Sequence, residues 1–96
     1  MMIVITYDVS TESSAGRRRL RRVAKTCLNY GQRVQKSVFE CKVNTMEMAL
    51  LKDKLLREID EAEDSLRIYR IIEPIEKNRE EFGNSQATDF ESTLIV

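Results

Sequence analysis

An α+β fold, a split βαβ sheet of the ferredoxin-like kind with both helices on one face, is predicted by three observations. The chain runs strand, helix, β segment, helix, strand. Each helical stretch carries one apolar stripe, and the first strand is apolar on both faces. With 96 residues, 42% hydrophobic and 33% charged, the chain supports one domain and one core, and neither disorder nor a collagen-like repeat fits.

Met2 to Asp8 (MIVITYD) is β-branched and apolar, which suits a central strand covered on two sides. Alternation sends Ile3, Ile5 and Tyr7 one way and Val4, Thr6 and Asp8 the other. Val9 to Gly16 is small and polar, hence a loop. From about Ala15 to Tyr30 the period is helical, with Leu20, Val23, Ala24, Cys27 and Leu28 as the core stripe and Gly31 placed as a C-cap glycine.

Residues 32–43 read as β structure, with Ser37, Phe39, Cys41 and Val43 on one face. No Asn-Gly or Pro marks a turn there, so one bent strand and two short ones stay open. Asn44 and Glu47 have capping-box spacing and begin a second helix running to about Glu61, whose Met48, Leu51, Leu55, Ile59 and Ala62 face the core. Asp64 to Ile72 is a further strand, closed by Pro74. Residues 1–75 are thus the core and 76–96 a C-terminal extension. Its apolar end favours a terminal strand at 89–96 docking on a partner subunit, with folding back on its own sheet as the alternative. Such a sheet leaves one face bare, and a twofold homodimer is the economical cover for it.

The formal net charge of zero conceals a split. Residues 1–43 hold nine bases and three acids, and residues 44–96 hold seven bases and thirteen acids. That asymmetry points to a polyanionic partner for the first half. The chain has no histidine, which removes His-based nucleophile systems and most catalytic zinc sites. Cys27 and Cys41 form no C-x-x-C pair and are expected to be reduced and buried. The three glycines are too scattered to cradle a phosphate. No apolar run is long enough for a membrane and no secretion signal opens the chain, so a cytoplasmic protein without membrane contact is expected.

Asp8 is the most pointed acid, because a strand fixes its direction and a loop leaves it accessible. A Mg²⁺ or Mn²⁺ ion accepts such a carboxylate together with waters and phosphate oxygens. Equally, Asp8 can cap its own loop by bonding backbone N–H groups in Val9–Thr11. On the first helix, Arg18, Arg22 and Lys25 oppose the core stripe, with Arg19 and Arg21 on the flanks and Arg17 near the helix start. With Arg33 they are the candidates for contacting phosphates. The competing account is a solvated face pairing with the acidic second half. Neither helix resembles a base-reading module.

MIVITYDV ending in an aspartate, the Arg-rich helix, Gly31, QRVQKSVFEC and the late SLRIYRI together resemble the CRISPR-associated Cas2 family over nearly the whole chain. The resemblance implies a ferredoxin-like homodimer that binds double-stranded DNA with the Cas1 integrase during spacer acquisition. It also implies a metal-dependent endonuclease activity on RNA or double-stranded DNA, with Mg²⁺ as cofactor and Mn²⁺ as a substitute. The family's metal aspartate falls on Asp8, and its catalytic and motif positions fall on Tyr7, Arg17, Arg19, Ser37 and Phe39. The alternative function is a metal-dependent endoribonuclease or DNase acting without the integrase.

Overall fold

Four antiparallel strands form one sheet in the order β2-β3-β1-β4, in a computed structural model that describes residues 1–84. In chain order the elements are β1 (Met2–Asp8), α1 (Ser14–Leu28), β2 (Gly31–Gln35), β3 (Val38–Lys42), α2 (Thr45–Glu58) and β4 (Ser65–Ile71). A 3-10 turn at Ile75–Lys77 follows, with Ile75 buried. This is the α+β, ferredoxin-like arrangement that the element order predicts. The terminal strand expected at 89–96 lies outside the described residues.

The central position of β1 follows from its composition. It pairs with β3 through Ile3↔Cys41 and Ile5↔Phe39, and with β4 through Ile5↔Ile68 and Tyr7↔Leu66. Ile3 and Ile5 are fully buried and Tyr7 nearly so, against Val23 and Cys27 of α1 and Leu51 and Leu55 of α2. Each fully buried leucine or isoleucine contributes about 1.5–3 kcal/mol of transfer free energy, so these few side chains set the register of the sheet on the helices. Val4 and Thr6 lie half-buried on the opposite face, away from both helices.

The helix starts are encoded locally. Ser13 caps α1 by accepting the Gly16 N–H on Oγ at 3.0 Å. At α2 the capping box expected from Asn44 and Glu47 forms, with reciprocal bonds of 2.7 and 2.9 Å.

The ends are less faithful to the sequence pattern. α1 stops with Asn29 as its C-cap, and Leu28, expected in the core, is 38% exposed in the last turn. α2 ends at Glu58, so Ala62 falls in the following turn and is exposed. β4 ends at Ile71, leaving Ile72 outside the sheet and 78% exposed.

Residues 32–43 are two strands, joined at Lys36 and Ser37, with a register shift between Arg33 and Gln35. The bulge absorbs the extra residue and bends the hairpin without any Asn-Gly turn. Gly31 opens β2 and is not the α1 cap. A Cβ there would sit 2.3 Å from the Glu40 carbonyl oxygen and 2.4 Å from Cys41 Sγ, so the glycine permits close strand contact. Gly31→Ala is therefore expected to cost about 1–3 kcal/mol, because Glu40 backbone cannot swing aside. Thermal denaturation followed by circular dichroism checks this; an unchanged midpoint would show that the hairpin can yield.

Candidate functional site

The pleat of β1 turns Tyr7 and Asp8 to opposite sides of the sheet. Tyr7 faces the helices, where its ring stacks on Phe39 at 6.1 Å between centroids with 23° between planes. Arg33, opposite Phe39 in the β2–β3 register, holds its guanidinium 5.1 Å from the same ring centroid. The Tyr7 N–H donates to the Ser37 carbonyl at 3.1 Å. Tyr7, Arg33, Ser37 and Phe39 are thus brought together at the inner side of the hairpin.

Tyr7 Oη and Arg33 Nε are both buried without a hydrogen-bond partner. Burial raises the Tyr7 phenol above its ordinary pKa, and the neighbouring Arg33 guanidinium offsets part of that rise. The phenol is held protonated at neutral pH and points into the core.

Asp8 stands apart from this group. It is exposed, pairs with Ser65 across β1–β4, and alternation places it beside Thr6 on the face away from the helices. Among the described residues its carboxylate makes no hydrogen bond or ion pair. The loop-capping role open to it belongs to another acid. The Ser10 N–H donates to Asp64 Oδ1 at 3.1 Å, from the turn that leads into β4.

The Asp64 side chain is fully enclosed and accepts three further bonds: Arg19 Nε to Oδ2 at 2.8 Å, an Arg19 terminal nitrogen to Oδ1 at 3.3 Å, and the Asp60 N–H to Oδ2 at 2.9 Å. Burial alone would raise this carboxyl; the Arg19, Asp60 and Ser10 donors overcome that and hold it below its ordinary pKa. Arg19 also pairs with Glu63 at 3.1 Å. The structure therefore places Arg19 inward, committed to two acids of the second half of the chain.

The other α1 bases fall into two groups. Arg17 donates to the Thr11 carbonyl at 3.1 Å and so braces the loop after Asp8. Arg18, Arg21, Arg22 and Lys25 are exposed opposite the buried Val23 and Cys27, and none forms an ion pair among the described residues. They line the outer surface of the helix layer, on the other side of the sheet from Asp8.

An oxygen-seeking cation fits Asp8, a hard carboxylate free of competing hydrogen bonds. Among the described residues no group of three or more His, Cys, Asp or Glu gathers to hold a metal, so Asp8 supplies one ligand and not a closed site. Arg67, which no motif singles out, shares the face of Asp8. It lies opposite Thr6, and its Nη1 donates to Tyr69 Oη at 3.2 Å. Strand alternation around Leu66 and Ile68 already marked it as facing outward. Cys27 and Cys41 are buried and unpaired, and burial pushes their thiols up to about 12 and about 11. Among the described residues no helix is long and apolar enough to cross a membrane.

Residues 1–79 match the family model described as CRISPR associated protein Cas2. A protein of Moorella thermoacetica named CRISPR-associated endoribonuclease Cas2 1 is 55% identical over 96 residues, covering 100% of both chains. One of Halalkalibacterium halodurans named CRISPR-associated endonuclease Cas2 is 50% identical over 95 residues, 99% of each chain. The crystal structure of Streptococcus pyogenes Cas2 superposes with a TM-score of 0.79 at 51% identity, covering 86% of this chain and 100% of that one.

The buried carboxylate sets a pH dependence. A folded-state pKa below the unfolded value, about 3.9 for Asp, stabilises the fold fully above that value and loses its effect as pH falls toward the folded one. The urea midpoints of wild type and Asp64→Asn should therefore lie furthest apart near neutrality and converge below about pH 4. A gap constant between pH 7 and pH 3 would contradict the charge argument.

Proposed function

The chain belongs to the CRISPR-associated Cas2 family, and from that premise we propose that it is a CRISPR adaptation protein. As a twofold homodimer it holds double-stranded DNA together with the Cas1 integrase during spacer acquisition, and it carries a Mg²⁺-dependent endonuclease activity at Asp8. The observation that carries this reading is the division of charge between faces. Among the described residues four exposed cations of α1 pair with no acid, and the Asp8 carboxylate on the other side of the sheet is unengaged.

A stripe of Arg and Lys without base-reading geometry suits phosphate contacts, which position a duplex without selecting its sequence. A second copy packed on the face away from the helices would bring a second Asp8 to the first. The two carboxylates are the ligands we assign to Mg²⁺, which when bound polarises a phosphoryl oxygen and acidifies a water. Arg67 lies on the same face and is suited to neutralise charge on the phosphate. The Tyr7 phenol faces the core and the chain has no histidine, so neither serves as the general base, and the activity is modest.

A second reading, an endoribonuclease acting without the integrase, is favoured by the name carried by the Moorella relative. Two variants separate them. Charge reversal at Arg18, Arg22 and Lys25 should abolish duplex binding in a mobility-shift assay and stop spacer acquisition. Asp8→Ala should keep binding and acquisition while losing Mg²⁺-dependent cleavage. Acquisition lost in a folded, dimeric Asp8→Ala protein would overturn the scaffold reading in favour of the nuclease. Replacing one α1 cation should also flatten the slope of log K against log salt by about 0.9 for each phosphate contact removed.

A further inference from the structure

We propose that Asp64 is a positioning residue for Asp8: by taking the Ser10 amide, it keeps Asp8 from folding onto its own loop and leaves that carboxylate open to a divalent cation. The inference rests on the reading of Asp8 as a metal ligand.

An aspartate at the start of a loop characteristically bonds the backbone N–H two residues on. For Asp8 that group is the Ser10 N–H, which instead donates to Asp64 Oδ1 at 3.1 Å. Asp64 stands immediately before Ser65, the residue paired with Asp8, so the two acids lie at the same end of the β1–β4 ladder. Its other three bonds, two from Arg19 and one from the Asp60 N–H, fix it independently of the loop.

Those four donors also explain why Asp64 is not itself a cation ligand. Both oxygens are engaged, and the side chain is fully enclosed. The loop is braced from its other side too, where a Cβ at Gly16 would lie 1.9 Å from the Ser10 carbonyl oxygen. Removing the Asp64 acceptor would leave the Ser10 N–H without a partner beside an unengaged Asp8 carboxylate. The cheapest repair is an Asx turn, in which the Ser10 N–H competes with the cation for Asp8.

The test is Mn²⁺ binding to the full chain, read by loss of the free-ion electron paramagnetic resonance signal. Asp64→Ala removes the acceptor but leaves Arg19 without its partner. The double variant Arg19→Met/Asp64→Leu replaces the ion pair with apolar groups of similar shape, a change that preserves folding in many proteins. Either folded variant should bind Mn²⁺ about tenfold or more weakly, the scale of supporting residues around metal ligands. Asp64→Asn keeps a carbonyl for Ser10 and should stay within about threefold of wild type. Leu51→Ala, a core truncation on α2, should lower the melting temperature and leave Mn²⁺ binding unchanged.

Wild-type affinity in the folded double variant overturns the proposal, as does an equal loss in Leu51→Ala. If the wild type binds no Mn²⁺, or Asp8→Asn binds it undiminished, the assignment of Asp8 fails first and the role of Asp64 fails with it.

Discussion

The two-residue repeat of the central strand governs everything else in this molecule. Ile3, Ile5 and Tyr7 are packed against Phe39, Cys41 and the inner sides of both helices, so their direction is fixed by the core. Val4, Thr6 and Asp8 must then face the other way. A slip of one residue would bury Asp8 and expose two isoleucines, a loss of several kcal/mol from burial alone. The direction of the Asp8 side chain is therefore a by-product of core packing, and it needs no hydrogen bond of its own to be maintained. An acid held in this way can remain unengaged, as a metal ligand must.

The balance of charge obeys a similar division by face. Taken whole, the chain is neutral. Yet Asp64 and Glu63 act on Arg19, which is largely enclosed, whereas Glu73 reaches Lys42 only at 3.8 Å and in solvent. The enclosed cluster ties the loop after β1 to α1 and to the turn before β4; the exposed pair contributes little. What the acidic second half neutralises is the inward flank of α1. Among the described residues its outward stripe pairs with no acid, so the net figure conceals a positive surface.

The elements were legible wherever a single segment carried the information. Alternation in MIVITYD, the apolar stripe of α1 and the Asn44–Glu47 capping pair each specify local geometry, and each is found. The hairpin at Lys36–Ser37 was not legible, because its two turn residues carry no Asn-Gly signal. Gly31 misled for a related reason. Glycine after a helix suggests a cap, but here its missing Cβ makes room for Glu40 and Cys41, which adjoin it only in the folded sheet. Of the site, Asp8 stood out as a strand-end acid, whereas nothing around Asp64 announced a hub. Its partners Ser10, Arg19 and Asp60 come from three separate segments. Arg19 illustrates the same limit, because a step of one residue, about 100° around a helix, separates a surface cation such as Arg18 from an enclosed one.

The opposed faces also bear on whether holding nucleic acid and cutting it are one activity or two. A duplex lying on Arg18, Arg22 and Lys25 has the sheet between itself and the Asp8 of the same protomer, so the phosphates it presents there are not the ones Asp8 can meet. Asp8 is the last residue of β1, at the rim of the face away from the helices and clear of the part where Arg79 bonds Glu40 at 2.7 Å. On the dimer reading, a second copy can cover Val4 and leave the rim open to solvent and substrate. On that reading two unengaged carboxylates facing each other across the rim repel. A divalent ion relieves that repulsion directly. On the proposed function the α1 surface would work without the ion, so binding and cleavage would be separable.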